Sequence, residues 1–574
     1  MTSATSSPRP AVRIGNCSGF YGDRASAMRE MLEASATGPR LDYLTGDYLA
    51  ELTMLILGRD LMKDPATGYA KTFLRQLSDG LALAREQGVR IVANAGGLNP
   101  AALAAAIDAL GTSAAVAYVD GDDVRSVVDV PDALTANAYQ GAFGIARALQ
   151  AGADVVVTGR VTDASLVLGP AIARFGWKPS DLDELAGAVV AGHVIECGTQ
   201  ATGGNFAGFA TMLAAGRGTR PLGFPVAEVA ADGSSVITKY AGTGGLVTVD
   251  TVTAQLLYEV QGPLYLGPDV TVDLTSIRLE QQGADRVAID GVAGVAPPER
   301  LKVGVNVLGG LRNQMEFVLT GLDIDAKAAW LRGQLEASLP QGPSYEWSSY
   351  RLPAPDSSTE EGAACLLRLS ARSGDADLVG RAFTAPAIEL ALASYPGFHV
   401  TAPPGRPTPY GIFRTTYVDR ALAREVVHLP DGTVEVIDAP AHQDSSGARP
   451  AVASPRATTA RTTRRAPLGG VVYARSGDKG GDANVGLWIP QSRSDAAVDW
   501  LLASVTPGWI RALLPEAVEL EVDVTPLPNL RGVNVVIHGL LGEGVAASTR
   551  FDPQAKAVGE WLRSRVVEIP EELL

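Results

Sequence analysis

The polar segment His193–Asn205 carries a dense set of groups that could do chemistry. His193 and Cys197 stand four residues apart, which predicts that both lie on one face of a helix, and an imidazole beside a thiol is an arrangement used in nucleophilic catalysis. A small core residue is the other interpretation of Cys197. Glu196 could act as a general acid or base if it is partly buried. The Gly-rich end of the segment supplies four predicted substrate-binding residues: Thr202, Gly203, Gly204 and Asn205.

Two other polar loops follow short apolar runs. VRIVA leads into Asn94–Asn99, and ADVVVTG leads into Arg160–Asp163. Arg160 could hold a carboxylate or phosphate through two parallel hydrogen bonds. Asp163, like Asp47 in the loop after LDYL, could move a proton or offer oxygen to a hard cation, although capping the following helix is an ordinary role for Asp. Asn94, Gly96, Gly97 and Asn99 join Asp47 as predicted substrate-binding residues.

The loop Gly15–Arg24 follows the first apolar run and has the spacing GxxxGxxG. Its glycines would let the backbone approach a ligand, and the helix N-terminus that follows favours an anion. Asp42 lies roughly twenty residues on, where a dinucleotide-binding protein has its ribose-binding acid. However, Asp42 begins its strand, whereas a ribose ligand belongs at a strand's end, so simple turn chemistry is an alternative to NAD(P) binding. Four residues of this loop are predicted to bind substrate: Asn16, Gly19, Asp23 and Arg24.

A second dense polar segment, Ala474–Gly486, lies in the last hundred residues and contains four glycines. It lacks the GK[ST] ending of a P-loop. Such a density of charge and glycine is unusual for a bare turn, so we predict that the segment binds a ligand or forms an interface. Its predicted binding residues are Arg475, Asp478, Lys479, Asp482 and Asn484.

Short apolar runs that alternate with amphipathic helices must position these loops. This pattern predicts an α/β fold with a mostly parallel sheet and helices on both faces, and it brings the loops to one edge of the sheet. We predict a disordered lead-in at 1–10, an α/β domain at 11–270, an α+β second lobe at 271–436, a linker at 437–467 and a small ferredoxin-like α+β domain at 468–574.

Composition limits the classes of function. Apolar residues make up 46% of the 574, and the net charge is −15. An acidic chain does not offer the basic surface that nucleic acid needs. Three well-separated cysteines form no disulfide framework, which is typical of the cytoplasm. No apolar run reaches the roughly 18 residues of a membrane span, and the N-terminus has no secretory signal, so we expect a soluble cytoplasmic protein.

Six motifs in order carry a resemblance to a known family. NCSGFYGDR, LDYLTGDYLAE, NAGGLNP, TGRVTDASL, HVIECGTQATGGNF and YARSGDKGGDANVG together resemble the acyclic terpene utilisation (AtuA) family, including its small C-terminal ferredoxin-like domain. The resemblance implies a bacterial role beside acyl-CoA-degrading enzymes, in the breakdown of branched acyclic terpenoid or related acids. It assigns no catalytic residue.

We therefore predict an enzyme that adds or removes water, or isomerises, on a carboxylic acid or its CoA thioester. Both reactions need a base near an activated α-carbon and donors for an enolate oxygen. The loops around Gly19, Gly97 and Gly204 would supply backbone N–H donors. Arg160 would hold the acid, and Glu196 or Asp163 would move the proton.

Two alternatives stay open at this point: a non-catalytic subunit that binds or delivers acyl-CoA, and an NAD(P)-dependent oxidoreductase. No cofactor is certain from the sequence. A CoA thioester is a candidate substrate and Mg²⁺ a candidate ion. A closed homo-oligomer is the default assembly for a soluble enzyme.

Overall fold

The computed structural model describes residues 10–441, 443–444 and 462–574. The chain divides into two units, the first comprising Met1–Asn306 and Phe413–Leu574 and the second Val307–Ile412. Nearly all of the predicted lead-in and most of the predicted linker lie outside the described residues. Across the part of the chain that is described, no helix combines the length and apolar character needed to cross a membrane.

Runs of β-branched residues form short strands in the first half of the chain, and amphipathic segments form the helices between them. The strands are β1 (Val12–Asn16), β2 (Tyr43–Gly46), β3 (Arg90–Ala93), β4 (Val116–Asp120), β5 (Ala133–Ala138), β6 (Val155–Thr158), β7 (Pro225–Val229), β8 (Ser235–Lys239), β9 (Leu264–Leu266), β10 (Thr271–Asp273), β11 (Arg278–Gly283), β12 (Arg286–Asp290) and β13 (Ala293–Val295). The helices are α1 (Ala27–Thr37), α2 (Glu51–Lys63), α3 (Lys71–Gln87), α4 (Pro100–Asp108), α5 (Phe143–Gln150), α6 (Ser165–Phe175), α7 (Leu182–Ile195), α8 (Phe209–Ala214) and α9 (Val249–Leu256).

The second unit is an antiparallel sheet with helices packed on it. A long strand, β14 (Arg300–Thr320), begins in the first unit and continues into the second. The other elements are β15 (Ser344–Tyr350), β16 (Ala364–Ser373), β17 (His399–Val400), β18 (Thr408–Asp419), α10 (Ile324–Glu336), α11 (Ala376–Val379) and α12 (Arg381–Glu389). The sheet order is β15-β16-β14-β17. Phe317, Leu369 and Phe383 belong to the core between this sheet and its helices.

The remaining elements complete the first unit. They are β19 (Val426–His428), β20 (Val434–Val436), β21 (Thr463–Pro467), β22 (Tyr473–Lys479), β23 (Asp482–Trp488), β24 (Val522–Leu527), β25 (Gly532–Ile537), β26 (Val566–Pro570), α13 (Asp495–Ser504), α14 (Pro507–Leu513) and α15 (Val558–Ser564).

An eleven-stranded sheet, in the order β11-β12-β8-β7-β1-β2-β3-β6-β4-β19-β20, organises the first unit. The five central strands, β1, β2, β3, β6 and β4, are parallel, as the sequence predicts. The prediction of a mostly parallel sheet is only partly correct, because the flanking strands are antiparallel. Short connections such as the one between Val229 and Ser235 cannot cross over the sheet, so they form hairpins.

Both faces of the central sheet are buried. In β6, Val155 and Val157 belong to one apolar core and Val156 to another. Successive side chains of a strand point to opposite faces, so a continuous apolar run marks a strand covered by helices on both sides. The α/β fold with helices on both faces is therefore confirmed for the parallel part of the sheet.

The C-terminal domain has an antiparallel sheet in the order β22-β23-β25-β24. The polar segment Ala474–Gly486 lies in a β-hairpin, in which Lys479 pairs with Asp482 across a Gly-Gly turn. The alternate residues Ala483, Val485 and Leu487 enter the domain's own core.

The opposite face of β23 contacts the α/β part of the same unit. Asn484 is fully buried there; it accepts a hydrogen bond from Glu259 N at 2.8 Å and donates one to Val260 O at 2.9 Å. A side chain on Gly486 would collide with Leu257, 2.4 Å from its Cβ position. Small and polar residues occupy this face because it approaches another backbone.

Substitution of Asn484 tests this contact between the C-terminal domain and the α/β part. We expect Asn484→Ala to lower the free energy of unfolding by about 2–4 kcal/mol, because it leaves two buried backbone groups unpaired. Urea unfolding measures the change. Gln491→Ala, at an exposed position of the same domain, is the control, and equal midpoints for the two variants would contradict the contact.

Candidate functional site

Polar side chains follow the parallel strands at one edge of the sheet, where open α/β sheets bind ligands. Asn16 ends β1, Asp47 follows β2, Asn94 follows β3 and Arg160 follows β6. Asn16 Nδ2 donates to Ile195 O at 2.6 Å and to Glu196 O at 2.8 Å. The C-terminal end of α7 is thereby held at this edge.

His193 and Glu196 form a buried pair at the end of α7. His193 Nδ1 lies 3.1 Å from Glu196 Oε1, and the His193 ring lies 4.8 Å from the ring of Tyr265. Burial raises the pKa of Glu196 to about 7, although His193 lowers it. Burial lowers the pKa of His193, but the charge and hydrogen bond of Glu196 outweigh it, so this pKa is raised. Glu196 Oε2 and His193 Nε2 are buried and have no hydrogen-bond partner among the described residues.

Cys197 stands outside the helix, because α7 ends at Ile195. The partner of the His193 imidazole is the Glu196 carboxylate, where the sequence suggested the Cys197 thiol. Burial raises the pKa of Cys197 well above its usual value, and the charge of Glu196 adds to the effect. A thiol in such surroundings stays protonated and is a poor nucleophile.

Two further carboxylates extend the cluster. Asn94 Nδ2 donates to Asp47 Oδ1 at 2.6 Å, and burial, with the charge of Asp163, raises the pKa of Asp47 well above its usual value. Arg160 forms an ion pair with Asp163, with 2.6 Å between Nη1 and Oδ1. Its guanidinium also lies 4.2 Å from the centroid of the Tyr139 ring. The predicted residues Asp47, Asn94, Arg160, Asp163 and Glu196 are thus brought together.

The hairpin of the C-terminal domain contributes more charges. Lys479 Nζ lies 3.6 Å from Glu259 Oε2, and Asp478 Oδ1 lies 3.3 Å from Lys556 Nζ. Burial lowers the pKa of Lys479, but Glu259 and neighbouring groups outweigh it and raise this pKa. Burial raises the pKa of Asp478 to about 6.

Arg475 connects this hairpin to the Gly-rich loop. Its guanidinium lies 4.4 Å from the centroid of the Tyr258 ring. It also donates to Gln200 Oε1 and, at 3.4 Å, to Asn205 O. Thr202 Oγ1 donates to Gly223 O at 2.7 Å, so the loop that holds Gly203 and Gly204 is fixed from two sides.

Other predicted binding residues serve the packing of the loops. A side chain on Gly19 would lie 2.5 Å from the Cys197 backbone, and one on Gly96 would lie 2.5 Å from Thr158 O. Asp23 accepts a hydrogen bond from Gly19 N, and Arg24 donates one to Leu222 O. Asn99 accepts one from Ala102 N, and Gly97 N donates one to Asn94 O. Asp482 contacts His538 and accepts a hydrogen bond from Gly539 N.

Several groups of the cluster were not recognisable from the sequence. Glu51, Tyr139, Tyr265 and Lys302 all interact electrostatically with the predicted residues. Glu51 ends the motif LDYLTGDYLAE but was given no role there, and Tyr139, Tyr265 and Lys302 lie outside the quoted motifs. Only the three-dimensional fold brings them to the same edge.

A cleft of about 550 Å³ lies elsewhere in the first unit, beside the N-terminus of α5. Its wall includes Asp269, which accepts from Ala142 N at 2.8 Å, and Glu425, which accepts from Gly144 N at 2.9 Å. Burial raises the pKa of Asp269 to about 6 and that of Glu425 to about 8. These carboxylates satisfy N–H groups that a helix start leaves free. We therefore take the Glu196 cluster as the candidate site.

From the sequence, Mg²⁺ is a candidate ion. Within 10–441, 443–444 and 462–574, no group of three or more His, Cys, Asp or Glu residues has an arrangement that could hold a metal ion.

Fold and site together define an α/β protein with a buried acid–base cluster between the edge of its parallel strands and a small C-terminal domain. Residues 12–429 match the family described as acyclic terpene utilisation family protein AtuA, and residues 466–568 match the AtuA ferredoxin-like domain. The chain belongs to the AtuA family, which implies involvement in acyclic terpene utilisation and confirms the resemblance seen in the motifs. A search of curated proteins finds no match.

The raised pKa of Glu196 predicts a pH-dependent stability. Its carboxyl binds a proton more tightly in the folded chain, with a pKa of about 7 against a usual 4.5. Its contribution to stability is therefore full below about pH 4.5 and is lost as the pH rises to 7. We expect the unfolding free energy of the unmodified chain, relative to Glu196→Gln, to fall across this interval. Urea titrations at several pH values measure it.

Glu184→Gln is the control, because Glu184 lies in the first turn of the same helix, at the opposite end from Glu196. A difference between the unmodified chain and Glu196→Gln that stays constant from pH 4.5 to 7 would show that Glu196 is not a buried carboxyl of raised pKa.

Proposed function

We propose that the chain is an enzyme that moves a proton at a carbon next to a carboxyl or thioester carbonyl, in hydration, dehydration or isomerisation of a branched acid or its CoA thioester. One observation carries the proposal. Glu196 Oε2 and His193 Nε2 are buried without hydrogen-bond partners among the described residues. Each unpaired group of this kind costs about 1–3 kcal/mol, so a bound substrate that pairs with them regains that free energy.

The pair has the properties of a proton-transfer group. A general acid or base works best when its pKa lies near the working pH, and the pKa of Glu196 is about 7. In an isomerisation, Glu196 would take the proton from one carbon and return it to another. In a hydration, it would take a proton from the attacking water, and His193 Nε2 would face the same substrate as a second acid or base.

The surrounding charge suits an anionic substrate. The whole chain carries a net charge of −15, yet five cations lie around this cluster: Arg160, Lys302, Arg475, Lys479 and Lys556. Three of them pair with carboxylates of the cluster, namely Asp163, Glu259 and Asp478. Positive groups held in a partly buried site stabilise the negative charge that develops on an enolate oxygen. A carboxylic acid or a CoA thioester from acyclic terpene utilisation fits such surroundings.

A second candidate, an acyl-CoA-binding or assembly subunit without catalysis, has its own supporting observation. Leu52 and Ile56 stand one turn apart on α2 and are 40% and 37% exposed. A contiguous exposed apolar surface of more than a few hundred Å² would mark a protein–protein contact, and these two side chains would be part of it. The NAD(P) alternative has no comparable support, because the Cys197 backbone already fills the space beside Gly19.

Deuterium incorporation tests the enzyme proposal. The purified chain is incubated in D₂O with branched acids and their CoA thioesters, and mass spectrometry detects exchange at the α- or γ-carbon. We expect exchange with at least one member of the panel, and a loss of about 10²–10⁴-fold in Glu196→Gln, the range that general acid–base groups contribute.

Glu184→Gln, on the same helix, should exchange like the unmodified chain. An active Glu196→Gln variant would remove Glu196 from catalysis. Lack of exchange with the whole panel, combined with binding of an acyl-CoA, would move the weight to the non-catalytic subunit.

A further inference from the structure

Lys302 is a cation without a paired anion at the candidate site. Its Nζ lies 4.7 Å from the centroid of the Tyr139 ring, and the guanidinium of Arg160 lies 4.2 Å from the same centroid. Arg160 pairs with Asp163 and Lys479 pairs with Glu259. Among the described residues, the structure gives the Lys302 amine no hydrogen bond and no ion pair.

The groups around Lys302 leave its positive charge poorly compensated. Burial lowers the pKa of Lys302 to about 8, and the charges of Lys479 and Arg160 add to this effect, while Glu51, whose effect exceeds that of Arg160, and Tyr417 act in the opposite direction. Contact with the Tyr139 ring face contributes a cation–π attraction, which is weaker than a charge-assisted hydrogen bond to an anion. An anionic group beside this amine would supply the missing counter-charge.

We propose that Lys302, on the face of Tyr139 and beside Arg160, binds the carboxylate of the substrate acid. This inference rests on the proposed function and names the class of substrate. The substrate is an acid whose carboxylate is not joined to CoA during the proton transfer. A CoA phosphate offers the same anionic chemistry. We choose the carboxylate, because Arg160, which contacts the same Tyr139 ring as Lys302, holds Asp163, whose charge also acts on Glu196.

The backbone fixes this position. Tyr139 N donates to Lys302 O at 2.9 Å, and Gln140 N donates to Arg160 O at 3.1 Å. Successive residues after β5 thus bind the backbones that carry both cations. The Lys302 amine and the Arg160 guanidinium therefore both lie against the Tyr139 ring, and of these three residues only Arg160 belongs to the quoted motifs.

Binding of matched probes tests the inference on the full chain. Isothermal titration measures the affinity of 3-methylbut-2-enoate, of its neutral amide and of free CoA. We expect Lys302→Met to weaken 3-methylbut-2-enoate at least tenfold and to leave the amide unchanged, while Lys302→Arg retains most of the acid affinity. Lys178→Met, at an exposed position, is the control and should match the unmodified chain.

Three results would overturn the proposal: acid affinity unaltered by Lys302→Met, equal losses for acid and amide, or a loss for free CoA alone, which would assign the amine to a phosphate. No binding of 3-methylbut-2-enoate to the unmodified chain at 10 mM would overturn it as well.

A second measurement uses the unmodified chain, so that its result does not depend on the folding of Lys302→Met. Acetic anhydride at pH 8 should acetylate Lys302, and 3-methylbut-2-enoate, but not its amide, should protect it, as mass spectrometry of the peptide reports. Equal acetylation with and without the acid would overturn the proposal.

The exchange assay separates this inference from the proposed function. Weak acid binding in Lys302→Met together with full activity in Glu196→Gln would refute the catalytic role and keep the subsite. The reverse pattern would refute the subsite alone.

Discussion

Burial of ionisable groups away from water is the constraint on which this site depends. The hairpin of β22 and β23 contacts the α/β part of the same unit through Asn484, whose two hydrogen bonds reach Glu259 N and Val260 O. A buried charge is costly unless it has a partner. The carboxylates and amines of the cluster therefore either pair with one another or, like Glu196, take a pKa that reduces the charge at neutral pH.

The same constraint explains the glycines. Asn16 holds the end of α7 against the edge of the sheet through two backbone carbonyls, and Gly19 lets the Cys197 backbone approach to a distance at which a Cβ would collide. Gly486 serves the same purpose where the hairpin meets Leu257. Glycine at these positions permits close contact between backbones, and this contact removes water from the acid–base groups.

Local patterns predicted the fold where packing is repetitive. The central β-strands, the helices between them and the loops at their carboxyl ends follow from apolar runs such as Val155–Val157, because such runs must be covered on both faces. The antiparallel flanks were missed because short hairpin connections, and not composition, decide the strand direction. The sequence did not show that the other face of β23, with Asn484 and Gly486, packs against the α/β part of the unit.

Local patterns also predicted part of the candidate site. Asp47, Arg160 and Glu196 lie in motifs next to strand or helix ends, where the sequence shows them. Lys302 and Tyr139 lie within or beside ordinary strands and become neighbours through the fold alone. The position at which α7 ends decides which side chain pairs with His193. Helix ends are the part of a sequence-based prediction with the largest error.

Hydrogen–deuterium exchange of the backbone, with and without branched acids and their CoA thioesters, tests most directly where the ligand binds. The account predicts that a bound acid or thioester slows exchange together in 44–49, 193–205 and 473–485, the segments that contribute Asp47, Glu196 and Lys479. Slowed exchange confined to 268–269 and 419–440, around the cleft beside α5, with those three segments unchanged, would contradict the account.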